Sequence, residues 1–493
     1  MSIYNGVLFD YQKLAAKRIF EQRSVLLADQ PGLGKTLEVL GALELDGLFG
    51  GLANILILTP IVNAQTTWRD SISRWVQPDF DVNLIDVSRG TAAKKSKQFG
   101  TLNSVNIVLA NHDALSRVPE ILSLTYDAVI VDESHLVLPI QNQRKLTKFW
   151  QYLNIVKYSN NAIKVAISGT PDRGKLENRY GTWRFLHPDK TASRWEWLEQ
   201  NFFITEQRVS KARTVKQTNG LKSQTAWLER DKQWMIRRTK AEVLPQLPPK
   251  RYVDVEIELG NGQKTAYFSQ QMESVKKIYE KPEGSNSPEA MLFALRARQL
   301  ADCSWDGSGE SPVPIRGGES AKLDWLLDWL DSRGFIESDA FADNTAQVVI
   351  VSQFSKVLHW LKDELSERAI ASSILDGSVS DNNRSNIQRN FQDGSIRIVL
   401  LSGSMGVGIN LDAADDLIMF DSPYDPDKIE QIEDRVHSAS SNHHVTIWNL
   451  IAIDTIDQAI VEKVSKRYQT TRELMDGSRG VEFARKVLEL ANG

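Results

Sequence analysis

The sequence predicts an α/β protein of two doubly wound parallel-sheet lobes, and three features carry that prediction. Short apolar runs of strand length recur along the 493 residues, each leading through small or polar residues into a helical pattern. The runs are continuously apolar rather than alternating, as parallel strands covered on both faces must be. They fall into two groups separated by a polar stretch, and at about 150 residues per domain the length accommodates two to four domains. The rhythm repeats while the sequence does not, which gives no support to a solenoid or tandem array.

In the first half the strand-like runs are Val25 to Ala28, Ile55 to Leu58, Asn106 to Leu109, Ala128 to Val131 and Lys164 to Ile167. Arg194 to Lys240 then reads as a helical, polar protrusion in which Trp195, Trp197, Trp227 and Trp234 stand among many Lys and Arg residues. It is the best candidate for a basic face. Pro245, Pro248 and Pro249 mark the crossing to the second half and divide the chain into domains 1–245 and 246–493. A helical insertion at about 265–320 follows, with breaker-rich loops at Lys281 to Pro288 and Ser304 to Glu319 around a helix near Met291 to Ala301. The second set of runs is Gln347 to Val351, Ser373 to Leu375, Arg397 to Leu401, Leu417 to Phe420 and Val445 to Ile451. Thr455 to Met475 and Val481 to Ala491 read as a helical brace on the second lobe.

Composition narrows the function classes. With 41% hydrophobic and 25% charged residues the chain is not a mostly disordered one. A net charge of −4 gives no global sign of a nucleic-acid partner, so such a contact needs a local basic face. The single cysteine, Cys303, excludes an intramolecular disulfide framework and a Cys-rich zinc ribbon, and points to a reducing compartment. No run approaches the roughly 18 apolar residues of a membrane span, and Met1 to Gln12 lacks a secretory pattern. A cytoplasmic protein without a membrane partner is expected.

The strongest chemical signal is Asp29-Gln30-Pro31-Gly32-Leu33-Gly34-Lys35-Thr36, set between a buried strand and the helical run Leu37 to Leu45. Glycines allow backbone N–H groups to close around phosphate oxygens, a lysine reaches the β- and γ-phosphates, and a threonine hydroxyl holds Mg²⁺. The general pattern GxxxxGK[ST] wants glycine where Asp29 stands, so the strict motif fails by one residue. Next, the strand ending at Val131 delivers Asp132 and Glu133: one carboxylate for the magnesium shell, one to polarise the attacking water. Alone, such a pair is more often a helix cap. Ser168-Gly169-Thr170-Pro171, after another buried strand, is placed to sense the γ-phosphate, although by itself it is only a turn. In the second half a glycine-flanked loop with Gly406, Gly408 and Asn410 is joined by Arg435, an arginine suited to transition-state charge.

In this order the motifs resemble the Swi/Snf-like branch of superfamily-two helicases and DNA translocases. Asp29 to Thr36 is similar to that branch's DEMGLGKT loop, in which aspartate at the first position is normal. Leu8-Phe9-Asp10-Tyr11-Gln12 resembles its adenine-reading motif, which carries over to Gln12. Thr59-Pro60 with Trp68 and Trp75, Asp132 to His135, and Ser168 to Pro171 are similar to motif Ia, the DEAH-like box and motif III. Ile236 to Lys240 followed by Leu247 to Lys250 looks like the LRRxK…LPxK signature of the branch. Ser352 to Phe354, Asp376 to Ser378, Gly408 to Leu411, Asp421 and Gln431 to Arg435 follow the second-lobe motifs, so that the likeness runs from Leu8 to about Ile460.

The resemblance implies two RecA-like lobes and a DNA-dependent ATPase, with ATP and Mg²⁺ as cofactors. It assigns ATP binding to Gln12, Gly32, Leu33, Gly34, Lys35, Thr36, Gly408 and Arg435, with Lys35, Asp132, Glu133 and Arg435 catalytic and Thr36 and Asp132 toward magnesium. Coupling falls to His135, Ser168, Gly169, Thr170 and Gln431. DNA contacts, mainly to the backbone, fall near Thr59, Asn111, Gln353 and Ser402. Arg237 and Arg238 are candidates either for DNA coupling or for a salt-bridged hinge between lobes. Two departures stand out: Ser438 occupies the second arginine position of motif VI, and Met405 replaces a glycine of motif V. The resulting expectation is a monomeric bacterial or phage motor acting on duplex, forked or branched DNA. The alternatives are a DNA-binding scaffold with weak ATPase and an RNA helicase of the same superfamily.

Overall fold

A computed structural model of the chain describes residues 8–76, 80–100, 102–140, 145–172, 175–210, 213–269, 288–306, 312–336, 345–403, 409–438, 441 and 443–461. The chain divides into two compact units, Met1–Pro245 and Gln246–Gly493.

In the first unit the strands are β1 (Ser24–Leu27), β2 (Ala53–Thr59), β3 (Val82–Asp86), β4 (Val105–Asn111), β5 (Thr125–Val131), β6 (Lys157–Ile167) and the short β9 (Met235–Ile236). They form one sheet in the order β3-β4-β2-β5-β6-β1-β9, every pair parallel. The apolar runs explain the layering, because alternate residues of one strand go to opposite faces. Leu56, Leu58, Val129 and Val131 join one core, and Ile55, Ile57, Ala128 and Ile130 join the other.

The second unit repeats the plan. Its strands are β10 (Arg251–Ile257), β13 (Val348–Ser352), β14 (Ser373–Leu375), β15 (Ile398–Ser402), β16 (Asp416–Met419) and β17 (Thr446–Ala452), ordered β10-β17-β16-β13-β15-β14, again all parallel. Val348 and Ile350 face one core while Val349 and Val351 face the other. Two doubly wound parallel-sheet lobes are therefore present, as the apolar runs predict.

The protrusion departs from the helical expectation. Helices Arg194–Asn201 and Gln224–Trp234 flank an antiparallel ribbon of β7 (Phe202–Ser210) and β8 (Arg213–Leu221) that pairs with neither large sheet. Its β-branched residues, Ile204, Thr205, Thr214, Val215 and Thr218, favour the extended state over the helix. In the insertion, helix Pro288–Asp302 covers the expected position, and the following loop carries a small antiparallel pair, β11 (Trp305–Asp306) with β12 (Val313–Pro314). The insertion is fixed to the second sheet by a buried Lys322, whose ammonium donates to Asp302 Oδ1 at 2.9 Å and to the Phe420 carbonyl at 2.8 Å, and pairs with Asp457 at 2.7 Å. Most of the expected C-terminal brace, beyond residue 461, and the loop at 281–287 lie outside the described residues. Among the described residues no helix is long and apolar enough to cross a membrane.

Candidate active site

In the first unit the chemistry-bearing residues leave the carboxyl ends of neighbouring parallel strands, where open α/β sheets bind ligands. After β1 the chain turns through residues 28–34 into helix α2 (Lys35–Leu45). Gly32 (φ +83°) and Gly34 (φ +78°) adopt the left-handed backbone that glycine takes without strain. A Cβ on Gly34 would also lie 2.5 Å from Gln12 Nε2. Lys35 Nζ donates to the carbonyls of Asp29 (2.8 Å) and Gln30 (3.4 Å), and Thr36 occupies the first turn of α2, whose N-terminal N–H groups favour anions.

Helix α1 (Asp10–Gln22) braces this loop. The Tyr11 hydroxyl and Gln12 Nε2 each donate to the Leu33 carbonyl at 3.0 Å, while Gln12 Oε1 accepts from the Phe9 N–H at 3.1 Å. Burial, and then the nearby Glu38, push the Tyr11 phenol up to about 12, so that it remains a donor.

The acid box follows β5. Asp132 Oδ2 accepts from Thr59 Oγ1 (2.8 Å), Trp68 Nε1 (3.0 Å) and Asn63 Nδ2 (3.1 Å), and Oδ1 accepts from the Glu133 N–H (2.9 Å). Oδ1 keeps a lone pair for a further ligand. Glu133 is left-handed (φ +44°, ψ +47°), an arrangement that costs a non-glycine residue on the order of 1–3 kcal/mol and clusters at functional sites. Its carboxylate lies 3.3 Å from His135 Nδ1, which is 2.9 Å from Ser168 Oγ. That hydroxyl in turn accepts from the Thr170 N–H at 3.1 Å. A run of close polar contacts thus joins the acid box to the Ser168–Thr170 turn. Thr170 Oγ1 and Ser134 Oγ are buried with no partner, and Gly169 packs on Pro31 of the loop so closely that a Cβ would lie 2.9 Å from its ring.

Arg237 and Arg238, the candidates for DNA coupling or a hinge, stand here too, as contacts of the phosphate loop. Arg237 Nη1 donates to the carbonyls of Ala28 (2.7 Å) and Gly169 (3.0 Å), and Arg238 pairs with Asp29 and Glu38. The physical reason is β9, which pairs with β1 and lays the following residues along the loop. Of the other DNA candidates, Thr59 and Ser402 are fully buried, Thr59 as a donor to Asp132. Asn111 and Gln353 are half-buried at the ends of β4 and β13, and each has a buried side-chain atom, Oδ1 and Nε2 respectively, without a partner.

In the second unit Gln431 and Arg435 share helix Pro426–Val436, and Arg435 Nη1 donates to the Ile409 carbonyl at 3.4 Å. Gly408, with Met405 and Gly406, lies outside the described residues. The Pro248–Lys250 segment grips this helix. Lys250 Nζ donates to Glu433 Oε2 (2.8 Å) and Asp434 Oδ1 (3.4 Å), and His437 Nε2 lies 2.6 Å from the Pro248 carbonyl. Burial alone would depress the Lys250 ammonium, but Glu433 and then Asp434 raise it above its usual range. Ser438 Oγ donates to Asp412 Oδ2 at 2.8 Å.

The profile of the SNF2-related domain matches residues 11–304, and that of the helicase conserved C-terminal domain matches residues 322–440. The chain belongs to the SNF2-related family. Among the relatives of this SNF2-related chain, chromodomain-helicase-DNA-binding protein 8 of Xenopus tropicalis is 25% identical, over 94% of this chain and 21% of that protein. Chromodomain-helicase-DNA-binding protein 1-like of Mus musculus is also 25% identical, over 94% and 49%. An uncharacterised ATP-dependent helicase of Mycoplasma pneumoniae is 23% identical, over 94% and 43%. The chain therefore spans between about a fifth and a half of these relatives' length. Among solved structures, the Sulfolobus solfataricus SWI2/SNF2 ATPase core in complex with dsDNA aligns at 19% identity over 97% of this chain and 95% of that one, with a TM-score of 0.42.

The first-unit residues fit a magnesium nucleotide. The glycine cradle, the Lys35 ammonium, the orphaned Thr170 hydroxyl and the free lone pair of Asp132 supply donors for phosphate and an acceptor for a cation. Among the described residues no group of three or more His, Cys, Asp and Glu side chains is placed to hold a metal ion. Sequence reasoning missed Trp68 as a partner of Asp132, Tyr11 as a brace and Glu38 as a neighbour of the loop. For the first two the signal was present, inside motifs already recognised.

Proposed function

We propose that this chain is an ATP-dependent DNA motor: it hydrolyses ATP and uses the cycle to move along or remodel duplex, forked or branched DNA. The observation that supports it most is the chain Glu133–His135–Ser168–Thr170, which ties the candidate water-polarising carboxylate to a turn packed against the phosphate loop. Loss of the γ-phosphate at one end of that chain would be felt at the other. The relatives, chromodomain-helicase-DNA-binding proteins among them, supply the DNA part of the reading.

In this mechanism Gly32 to Thr36 present N–H groups to the phosphates and Lys35 leaves its loop carbonyls to neutralise the β- and γ-oxygens. Thr36 and Asp132 would hold magnesium, which when bound neutralises charge developing on the phosphates. Glu133 accepts the proton of the attacking water. Arg435 would supply transition-state charge, an effect on the order of 10³–10⁵ in rate where an arginine does this.

The test is steady-state ATP hydrolysis with no nucleic acid, single-stranded DNA, duplex DNA, forked DNA and RNA, with Lys35→Ala as control. Stimulation by duplex or forked DNA that Lys35→Ala abolishes is the expected result. Stimulation by RNA alone would replace the proposal with an RNA helicase. A second reading, a DNA-binding scaffold with weak ATPase, is favoured by Ser438, whose hydroxyl is engaged by Asp412 where the family places an arginine. DNA binding without stimulated turnover would select it.

A further inference from the structure

The general phosphate loop begins with glycine, and this one begins with a fully buried aspartate. A buried carboxylate needs donors, and those of Asp29 come from a residue 209 positions away. Arg238 Nε donates to Asp29 Oδ1 (3.2 Å) and Oδ2 (3.0 Å), and Nη2 makes a further contact to Oδ2. The same Nη2 donates to Glu38 Oε1 on α2 at 2.7 Å, and Nη1 donates to the Tyr11 carbonyl on α1. One guanidinium therefore ties together the helix before the loop, the loop's first residue and the helix after it.

The backbone makes the same connection. The Ala28 N–H donates to the Ile236 carbonyl at 2.7 Å, the Gln30 N–H to the Arg238 carbonyl at 3.0 Å, and the Lys240 N–H to Gln30 Oε1 at 2.8 Å. Residues 236–240 thus run beside 28–30 as a hydrogen-bonded splint. On the other side of the loop Lys35 Nζ rests on the carbonyl of Asp29 itself. The residue that Arg238 holds by its side chain is the residue that positions the lysine by its main chain.

We propose that Asp29 and Arg238 form the anchor that sets the phosphate loop for nucleotide, with Arg238 a positioning residue for ATP hydrolysis. This rests on the ATPase reading above. Glycine at position 29, although it completes GxxxxGK[ST], removes the carboxylate that Arg238 grips and frees the carbonyl that Lys35 uses. The departure from the general motif is in this fold the means by which the loop is held.

The anchor is tested in the full chain with Asp29→Gly, Arg238→Gln, Arg238→Lys and the double variant Asp29→Gly/Arg238→Gln. The readouts are KM for ATP, kcat with duplex DNA, and the affinity of a fluorescent ADP analogue. Asp29→Gly and Arg238→Gln are each expected to raise KM and weaken the analogue at least tenfold. Arg238→Lys, which keeps the charge but not the fork, should fall between them and wild type. The double variant should be no more than about twofold worse than the poorer single one, because both remove the same contact. A KM for Asp29→Gly within twofold of wild type overturns the anchor while leaving the ATPase reading intact. So does a lower kcat at unchanged KM in every variant, since a merely structural role reduces only the amount of active protein. A wild-type chain that neither binds the analogue nor hydrolyses ATP overturns the ATPase reading itself, and the anchor with it.

Discussion

Glu38 sits fully buried beside Asp29, and Arg238 pairs with both carboxylates. Burial first, and then the charge of Asp29, raise the pKa of Glu38 well above the usual carboxylate range. The second oxygen, Oε2, is buried with no hydrogen-bond partner. Because the folded-state pKa lies above the unfolded one, folding takes up a proton at this site. The associated stability is complete below the unfolded pKa and is lost as pH rises through the folded one. The melting temperature of wild type should therefore fall from acid toward alkaline pH more steeply than that of Glu38→Gln, which keeps a neutral donor. Parallel melting curves for the two proteins would show that Glu38 is charged. Ser438 carries a second residue-level prediction. An arginine there would stand next to Asp412, and Ser438→Arg should raise DNA-stimulated hydrolysis tenfold or more. That is a small part of the ~10³–10⁵ an arginine can contribute; an unchanged rate would mean that Arg435 suffices.

Among the elements, helix Pro426–Val436 depends on a segment far away in sequence. Lys250 is the buried counterion of Glu433 and Asp434, and Tyr252 adds a hydroxyl donor to Glu433 Oε2 at 2.9 Å. Lys250→Met removes the cation that Glu433 and Asp434 share, and breaking such a largely buried pair costs about 3–5 kcal/mol. For a unit of this size that corresponds to a fall of roughly 6–20 °C in the second unit's melting temperature. The carrier of Arg435 shifts with it, so kcat should fall as well; an unaltered melting curve would reassign Lys250 to the surface. The same contact shows what sequence does and does not reveal. The motif LPxK was legible as a signature, but its partner in motif VI was not, because spacing along the chain carries no record of contacts across 183 positions. Central strands such as β2 and β13 were legible because both faces are buried. The edge strands β3 and β10 were not, since the half-buried Asn83 interrupts the apolar run of the first and the exposed Asp254 and Glu256 that of the second. The ribbon of β7 and β8 was read as helix because its charged composition outweighed its β-branched residues.

At the scale of the whole molecule, each unit owns a parallel sheet with a core on both faces, and the division falls at Pro245. Chains built this way seldom unfold in one step. The phosphate loop, the acid box and the Arg238 anchor all belong to the first unit, so a nucleotide held there stabilises that unit by mass action. At 100 times its Kd the gain is about 2.7 kcal/mol. Calorimetry should accordingly resolve two transitions, and magnesium ADP should raise one of them by roughly 5–11 °C. Lys35→Ala should remove most of that shift while leaving both transitions in place without nucleotide, because the ammonium rests on loop carbonyls and is not part of either core. Asp29→Gly should lower the same transition without nucleotide and weaken its response to ADP, since it disturbs the splint as well as the binding loop. A shift of equal size in wild type and Lys35→Ala would place the nucleotide elsewhere than the loop between β1 and α2.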